Sequence, residues 1–176
     1  PQFALVEPFS EGLACVRNGD RWGYINAEGT YEIDPLFDEA KSFSEALAAV
    51  KTNGSWNYID RTGRVVIDGR FDEAEAFASG LGCVKHRGKY GYIDTSGNFQ
   101  IKPNLELAFA FQGHLARVKL NGKWSWLSTD GECVWQSSEK AETTTVKKLR
   151  SRRLHHLLWL LGGCGFLGLH LMYQGK

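Results

Sequence analysis

Hydrophobic positions recur along this chain at a step of 34 residues. Phe9, Phe43, Phe77 and Phe111 form one column; Leu13, Leu47, Leu81 and Leu115 form a second, and Val16, Val50, Val84 and Val118 a third. Rings keep the same step at Trp22, Trp56, Tyr90 and Trp124, and again at Tyr24, Tyr58, Tyr92 and Trp126, followed by Ile25, Ile59, Ile93 and Leu127. Gly29, Gly63, Gly97 and Gly131 close the pattern, and the column Phe3, Phe37, Phe71, Leu105 places the first copy near residue 3. A fixed period of this size signals a repeat architecture. Four copies without insertions fill residues 1–136, at about 3–36, 37–70, 71–104 and 105–136.

Within each copy the local chemistry is that of strands. Leu47 to Lys51 and its counterparts are short, apolar and partly β-branched, and Asn53-Gly54 or Asn121-Gly122 follows, a pair that tolerates the positive φ of a two-residue hairpin turn. The second strand is Trp56 to Ile59. It ends at Asp60-Arg-Thr-Gly63, echoed at Asn26, Asp94 and Ser128, where a short polar side chain caps the turn and glycine accepts a left-handed backbone at the fourth place. A third strand follows at Arg64 to Ile67, and the copy closes in a less regular stretch, Phe37 to Ala40 or Phe71 to Ala74. The expectation is an all-β array of four three-stranded units, propeller-like or a solenoid. One unit is too small to bury its apolar face alone, so stacking stabilises it.

The succession Phe-Asp-Glu-Ala, Phe-Ser-Glu, Leu-Ala-x-Val, Asn-Gly, Trp-Gly-Tyr-Ile, Asp-x-x-Gly resembles the bacterial WG-repeat family, whose Trp-Gly pair stands here as Trp22-Gly23. The resemblance implies a β-repeat array without a defined catalytic activity. The pair is altered at Trp56-Asn57, Tyr90-Gly91 and Trp124-Ser125, whereas an aromatic ring survives in all four copies. Two readings of the column Trp22, Trp56, Tyr90, Trp124 stand: a packing ladder, or rings lining a groove that takes peptide or sugar. The acidic pairs Asp38-Glu39 and Asp72-Glu73 read as solvated turns or the start of a short helix, with a cation site as the alternative.

Composition agrees with a folded, turn-rich β protein: 43% hydrophobic, 23% charged, with 20 Gly against 4 Pro. The net charge of +1 hides an asymmetry. Residues 1–136 hold 14 Lys and Arg against 18 Asp and Glu, whereas 137–176 hold 7 against 2. No nucleophile elbow, zinc-protease helix motif, phosphate loop or dinucleotide fingerprint occurs, so a non-enzyme is expected, with no cofactor or metal. Cys15, Cys83, Cys133 and Cys164 are widely spaced and read as reduced thiols; His86 and His114 are isolated and read as turn or surface residues.

The last forty residues differ in kind. A polar linker leads into Lys147, Lys148, Arg150, Arg152 and Arg153, so that 137–153 is polar and then basic. Residues 154–173 then run for 20 positions without Asp, Glu, Lys or Arg, the length a membrane-spanning helix needs. The cluster reads as membrane-flanking rather than as a nucleic-acid site, and the positive-inside rule would keep the repeats cytoplasmic. The end of the chain resembles the first helix and turn of the two-transmembrane-helix hairpin family, with His170, Tyr173, Gly175 and Lys176 matching the turn and Met172 where that family has Phe. The resemblance implies a second helix beyond Lys176, and the expectation is that this chain is a piece of a longer protein. The functional expectation is a non-catalytic interaction scaffold anchored in a bacterial inner membrane and binding a protein or peptide, with no small-molecule substrate. Carbohydrate or cell-envelope binding through the aromatic columns is the alternative, and a truncated hydrolase accessory unit the third reading.

Overall fold

The structure, a computed structural model, describes residues 3–137, all of it strand and turn. The hydrophobic segment 154–173 and the basic cluster therefore lie outside the described residues. Sixteen strands form four antiparallel sheets of four strands, each a meander in chain order. Sheet 1 holds β1 (Leu5–Val6), β2 (Ala14–Asn18), β3 (Arg21–Ile25) and β4 (Tyr31–Phe37). Sheet 2 holds β5 (Glu39–Ala40), β6 (Ala48–Thr52), β7 (Ser55–Ile59) and β8 (Val65–Phe71). Sheet 3 holds β9 (Glu73–Ala78), β10 (Leu81–His86), β11 (Lys89–Ile93) and β12 (Phe99–Leu105). Sheet 4 holds β13 (Leu107–Ala108), β14 (Leu115–Leu120), β15 (Lys123–Ser128) and β16 (Cys133–Gln136).

The expected unit had three strands, and the structure corrects this to four. The irregular Phe-Asp-Glu-Ala stretch is the missing one. The chain leaves β4 at Phe37, which pairs with Trp22, and one residue later pairs with the next sheet: Asp38 N–H donates to Lys51 O, and Glu39 lies opposite Lys51. One extended run therefore serves two sheets, changing partner at a bend. Its two residues in the second sheet are too few to show a period of two, which is why the pattern did not mark a strand. The same pairing rules out a helix start at Asp38-Glu39 and Asp72-Glu73. Instead Glu39 meets Lys51 at 2.6 Å, Glu73 meets Lys85 at 2.7 Å, and Asp72 accepts the Gly88 N–H at 2.8 Å.

Both predicted turns form. Asn53-Gly54, Arg87-Gly88 and Asn121-Gly122 have positive φ at both residues, as a type I′ hairpin requires. In the four-residue turns Asp60 Oδ1 accepts the N–H groups of Thr62 and Arg64, and Asn26 and Asp94 do the same in their copies. The glycine at the fourth place has a second reason to be there. A Cβ on Gly63 would stand 3.1 Å from the Ile33 side chain of the preceding sheet, and one on Gly97 3.0 Å from Ile67.

The Trp-Gly pair also acquires a physical cause. Between Trp22↔Phe37 and Tyr24↔Ile33 the register shifts, so β4 bulges at Asp34-Pro35 directly against Gly23. A Cβ on Gly23 would lie 2.6 Å from Ile33 O and 2.8 Å from Pro35 N; on Gly91 it would lie 2.6 Å from Ile101 O and 2.9 Å from Pro103 N. Sheet 2 solves the same crossing differently. Gly69 replaces the proline, Arg70 takes φ +44°, and its N–H donates to Asn57 Oδ1 at 3.2 Å, so a side chain fits where glycine stood. Sheet 4 runs through Ser125↔Gln136 and Trp126↔Trp135 with no extra residues between them, and Ser125 needs no glycine.

Candidate functional site

The core is three joints between successive sheets, built from the same columns each time. Each outgoing face carries a cross-strand row of three residues: Cys15, Tyr24, Ile33 in sheet 1; Ala49, Tyr58, Ile67 in sheet 2; Cys83, Tyr92, Ile101 in sheet 3. The tyrosine ring meets the phenylalanine of the next sheet edge to face, at 4.8 Å for Tyr24–Phe43, 4.9 Å for Tyr58–Phe77 and 4.8 Å for Tyr92–Phe111. Its hydroxyl donates across the joint to Lys41 O, Glu75 O and Phe109 O respectively, each at 2.7 Å. Burial of an unpaired phenol oxygen would be costly, so these three bonds are what allow a tyrosine at the centre. A polar staple adds to two joints: Ser10 Oγ donates to Phe43 O while Glu11 accepts the Ala46 N–H, and Ser44 and Glu45 repeat this on Phe77 O and the Gly80 N–H.

Cys15 and Cys83 lie inside these joints as free thiols. Burial first, with Glu7 beside Cys15 and Glu75 beside Cys83, pushes both thiols up to about 12. They are neutral packing groups at physiological pH, without thiolate reactivity. Burial likewise raises Tyr24, Tyr58 and Tyr92 above the ordinary tyrosine value. His86 packs between the rings of Phe71 and Phe99, and His114 is exposed in a turn. Among the described residues no group of three or more His, Cys, Asp or Glu side chains could hold a metal ion, and no helix is long and apolar enough to cross a membrane.

The column Trp22, Trp56, Tyr90, Trp124 does not form one surface. Trp56 is buried, at 6% exposure, with the ammonium groups of Lys41 and Lys51 at 5.6 and 5.9 Å from its ring. Trp22 is half-buried against the first joint, and Tyr90 is half-buried at the third, its hydroxyl donating to Glu73 at 2.5 Å. Trp124 is the exposed member, at 37%.

Among the described residues no further sheet covers the outgoing face of sheet 4. Its row reads Arg117, Trp126, Trp135, in place of a small residue, tyrosine and isoleucine. Arg117 and Trp135 are exposed and Trp126 is half-buried. The Arg117 guanidinium stacks 4.7 Å from the rings of both Phe109 and Trp124. Beside it a recess of about 300 Å³ is lined by Phe109, Ala110, Gln112, Leu115, Arg117 and Trp126. A second recess of about 490 Å³, bordered by Tyr90, Cys83, Glu73 and Glu75, shares Phe109, Ala110 and Gln112 with the first.

Of the residues singled out from sequence, the structure brings Trp124 to this face and leaves Trp22, Trp56 and Tyr90 at the joints. Lys147, Lys148, Arg150, Arg152, Arg153, His170, Tyr173, Gly175 and Lys176 lie outside the described residues. Phe109, Arg117, Lys119 and Trp135 were not singled out, and Trp126 only as the last member of the second aromatic column. The signal was present as breaks in the columns: Arg117 under Cys15, Ala49 and Cys83, and Trp135 under Ile33, Ile67 and Ile101.

Comparison with known proteins places these observations. The profile of the family described as "WG containing repeat" matches residues 1–22, 22–56, 58–90 and 90–124. No curated protein matches the chain in sequence. Among solved structures, Kluyveromyces lactis Hsv2 superposes with a TM-score of 0.56 at 11% identity, over 77% of this chain and 51% of that one. BamB from Moraxella catarrhalis gives 0.52 at 13%, over 74% and 48%, and the N-terminal domain of Nup159 gives 0.53 at 10%, over 80% and 46%. The likeness is one of fold: four successive four-stranded sheets in a propeller-like arrangement. This chain spans about half the length of the structures it resembles.

Proposed function

The chain belongs to the family of WG-containing repeats, and we propose that it works as a non-catalytic interaction scaffold, tethered to a membrane by residues 154–173, with the open face of sheet 4 as its binding surface. One observation carries this reading: three outgoing faces built on the same columns are sealed by the next sheet, and the fourth is exposed and rebuilt with Arg117, Trp126 and Trp135. Exposed aromatic and arginine side chains at a recess are the residue types that dominate binding energy at protein interfaces. The tether rests on the 20-residue apolar run and the basic residues before it, and the cytoplasmic placing of the repeats rests on the positive-inside rule. Sugar binding along the column loses three of its four rings to the joints.

A photo-crosslinking side chain in place of Trp135 in the full chain tests the scaffold. Crosslinks to a protein from position 135, absent when the same group replaces the exposed Val66 on sheet 2, are the expected result; equal yields at both positions would count against a specific surface. Fractionation tests the tether, and recovery of the full chain wholly in the soluble fraction after a salt wash would remove it.

A further inference from the structure

The open face carries two cations, Arg117 where the sealed faces have a small residue and Lys119 where they have an ion-paired cation. On the first three sheets the cation at this position of the β2-type strand has an acidic partner: Arg17 pairs with Asp20 at 3.2 Å, Lys51 with Glu39 at 2.6 Å and Lys85 with Glu73 at 2.7 Å, and Lys41 pairs with Glu75 across a joint. On sheet 4 the equivalent lysine is Lys119, and the position opposite it is Leu107. The place that Glu75 holds on sheet 3 is taken by Phe109 on sheet 4. No carboxylate among the described residues pairs with Lys119 or Arg117. Arg117 and Lys119 are two apart on β14 and opposite Trp126 and Trp124, so both cations and both rings share one face.

The remaining repeats make this face distinctive. Residues 1–136 carry a net excess of acidic groups, 18 against 14, while the open face is cationic and aromatic. A ligand that is itself acidic is repelled by most of the array and attracted here. The guanidinium is already held against two rings, so little side-chain freedom remains to be lost when an anion binds it. The recess of about 300 Å³ beside it, walled by Phe109, Leu115 and Trp126 together with Gln112 and Arg117, has room for a side chain.

We propose that this face binds an extended acidic peptide segment of a partner protein, with carboxylates on Arg117 and Lys119 and apolar side chains against Trp126 and in the adjoining recess. The proposal rests on the scaffold reading above and names the chemistry of its partner. A peptide is favoured over an anionic bilayer because the arginine is held against two rings beside a recess, a geometry that recognises one carboxylate and its neighbouring side chain.

The test uses the full chain in neutral detergent and a fluorescein-labelled twelve-residue peptide of alternating Glu and Leu, read by fluorescence anisotropy, with the alternating Gln and Leu peptide as control. The Glu peptide is expected to bind at least about tenfold more tightly than the Gln peptide, a difference of about 1.4 kcal/mol. Arg117→Gln with Lys119→Gln should abolish that preference, and because both side chains are at the surface the thermal midpoint serves as the check on folding. Equal binding of the two peptides overturns the proposal, as does a preference that survives the double substitution. Three further outcomes also overturn it: binding that appears only after Glu139→Gln and Glu142→Gln, which would make this chain's own acidic residues the occupant; displacement of the peptide by phosphatidylserine in mixed micelles with the detergent, in a way that needs Arg117; and concentration-dependent dimerisation lost in the double variant. If crosslinks from position 135 find a protein while the Glu peptide shows no preference, the scaffold stands and the acidic chemistry fails.

Discussion

Sheets 1 to 3 and sheet 4 use one set of columns for opposite ends. At the first three outgoing faces a small residue, a tyrosine and an isoleucine leave room for the next sheet, and the tyrosine hydroxyl finds a carbonyl 17 residues further along the chain. At the fourth face the small residue becomes Arg117 and the isoleucine Trp135, which fill the space an incoming sheet would need. The difference shows that a repeat is not defined by its strands, which sheet 4 keeps, but by whether its outer row is shaped to be covered. Where the row is small and apolar the energy goes into cohesion; where it is large and cationic the same framework presents a surface.

The largest expected contrast is between a ring inside a joint and one on the open face. Phe77→Ala removes a fully buried ring at the second joint and is expected to cost about 3–5 kcal/mol, whereas Trp126→Ala should cost under about 1 kcal/mol; urea denaturation of the full-length variants measures both. Comparable losses would mean that the fourth face is covered as the others are. Next comes the glycine of the repeat signature. Gly23→Ala drives a methyl group into the Pro35 bulge and should cost about 1–3 kcal/mol, while Ser125→Ala, where the register from Gln136 to Trp135 is unbroken, should cost no more than its hydrogen bond from Gln136, about 0.5–1.5 kcal/mol, by the same measurement.

Alkaline pH sharpens the comparison through the thiols. The ordinary cysteine value is 9.0, and in the folded protein Cys15 and Cys83 reach about 12. The stability owed to their neutral forms is therefore complete below pH 9 and lost as pH rises from 9 towards 12, at about 1.4 kcal/mol per pH unit for each thiol. Cys15→Ala with Cys83→Ala, a residue that sheet 2 already uses as Ala49, should flatten the fall of the thermal midpoint between pH 9 and 10. An unchanged slope would show that the tyrosines alone cause it. The smallest effect concerns Ala46, which holds φ +66° where the first and third copies have Gly12 and Gly80. Ala46→Gly should stabilise by about 0.4–1 kcal/mol, visible as a small rise in thermal midpoint.

How much of this was legible beforehand follows from the range of each interaction. The hairpin at Asn53-Gly54 and the turn at Asp60 to Gly63 are closed by groups within four residues of one another, so their residue types announce them. The strand at Glu39–Ala40 was missed because its partner lies twelve residues away and its two residues carry no period. The aromatic column looked uniform because sequence spacing cannot tell a ring in a joint from one beside an unfilled face. Trp56 and Trp124 occupy the same repeat position, yet one meets two lysines inside the array and the other an arginine at its edge.

By itself the sequence determined the 34-residue period, the strand-and-turn chemistry of each copy and the all-β class, because these depend on backbone preferences and short-range hydrogen bonds that a residue type carries with it. The tertiary structure decided the fourth strand of each sheet, the bulge that makes the Trp-Gly glycine necessary, and the separation of three closed joints from the cationic outgoing face of sheet 4. Those depend on which surface meets which between residues up to 33 apart, and only the folded arrangement brings them into contact.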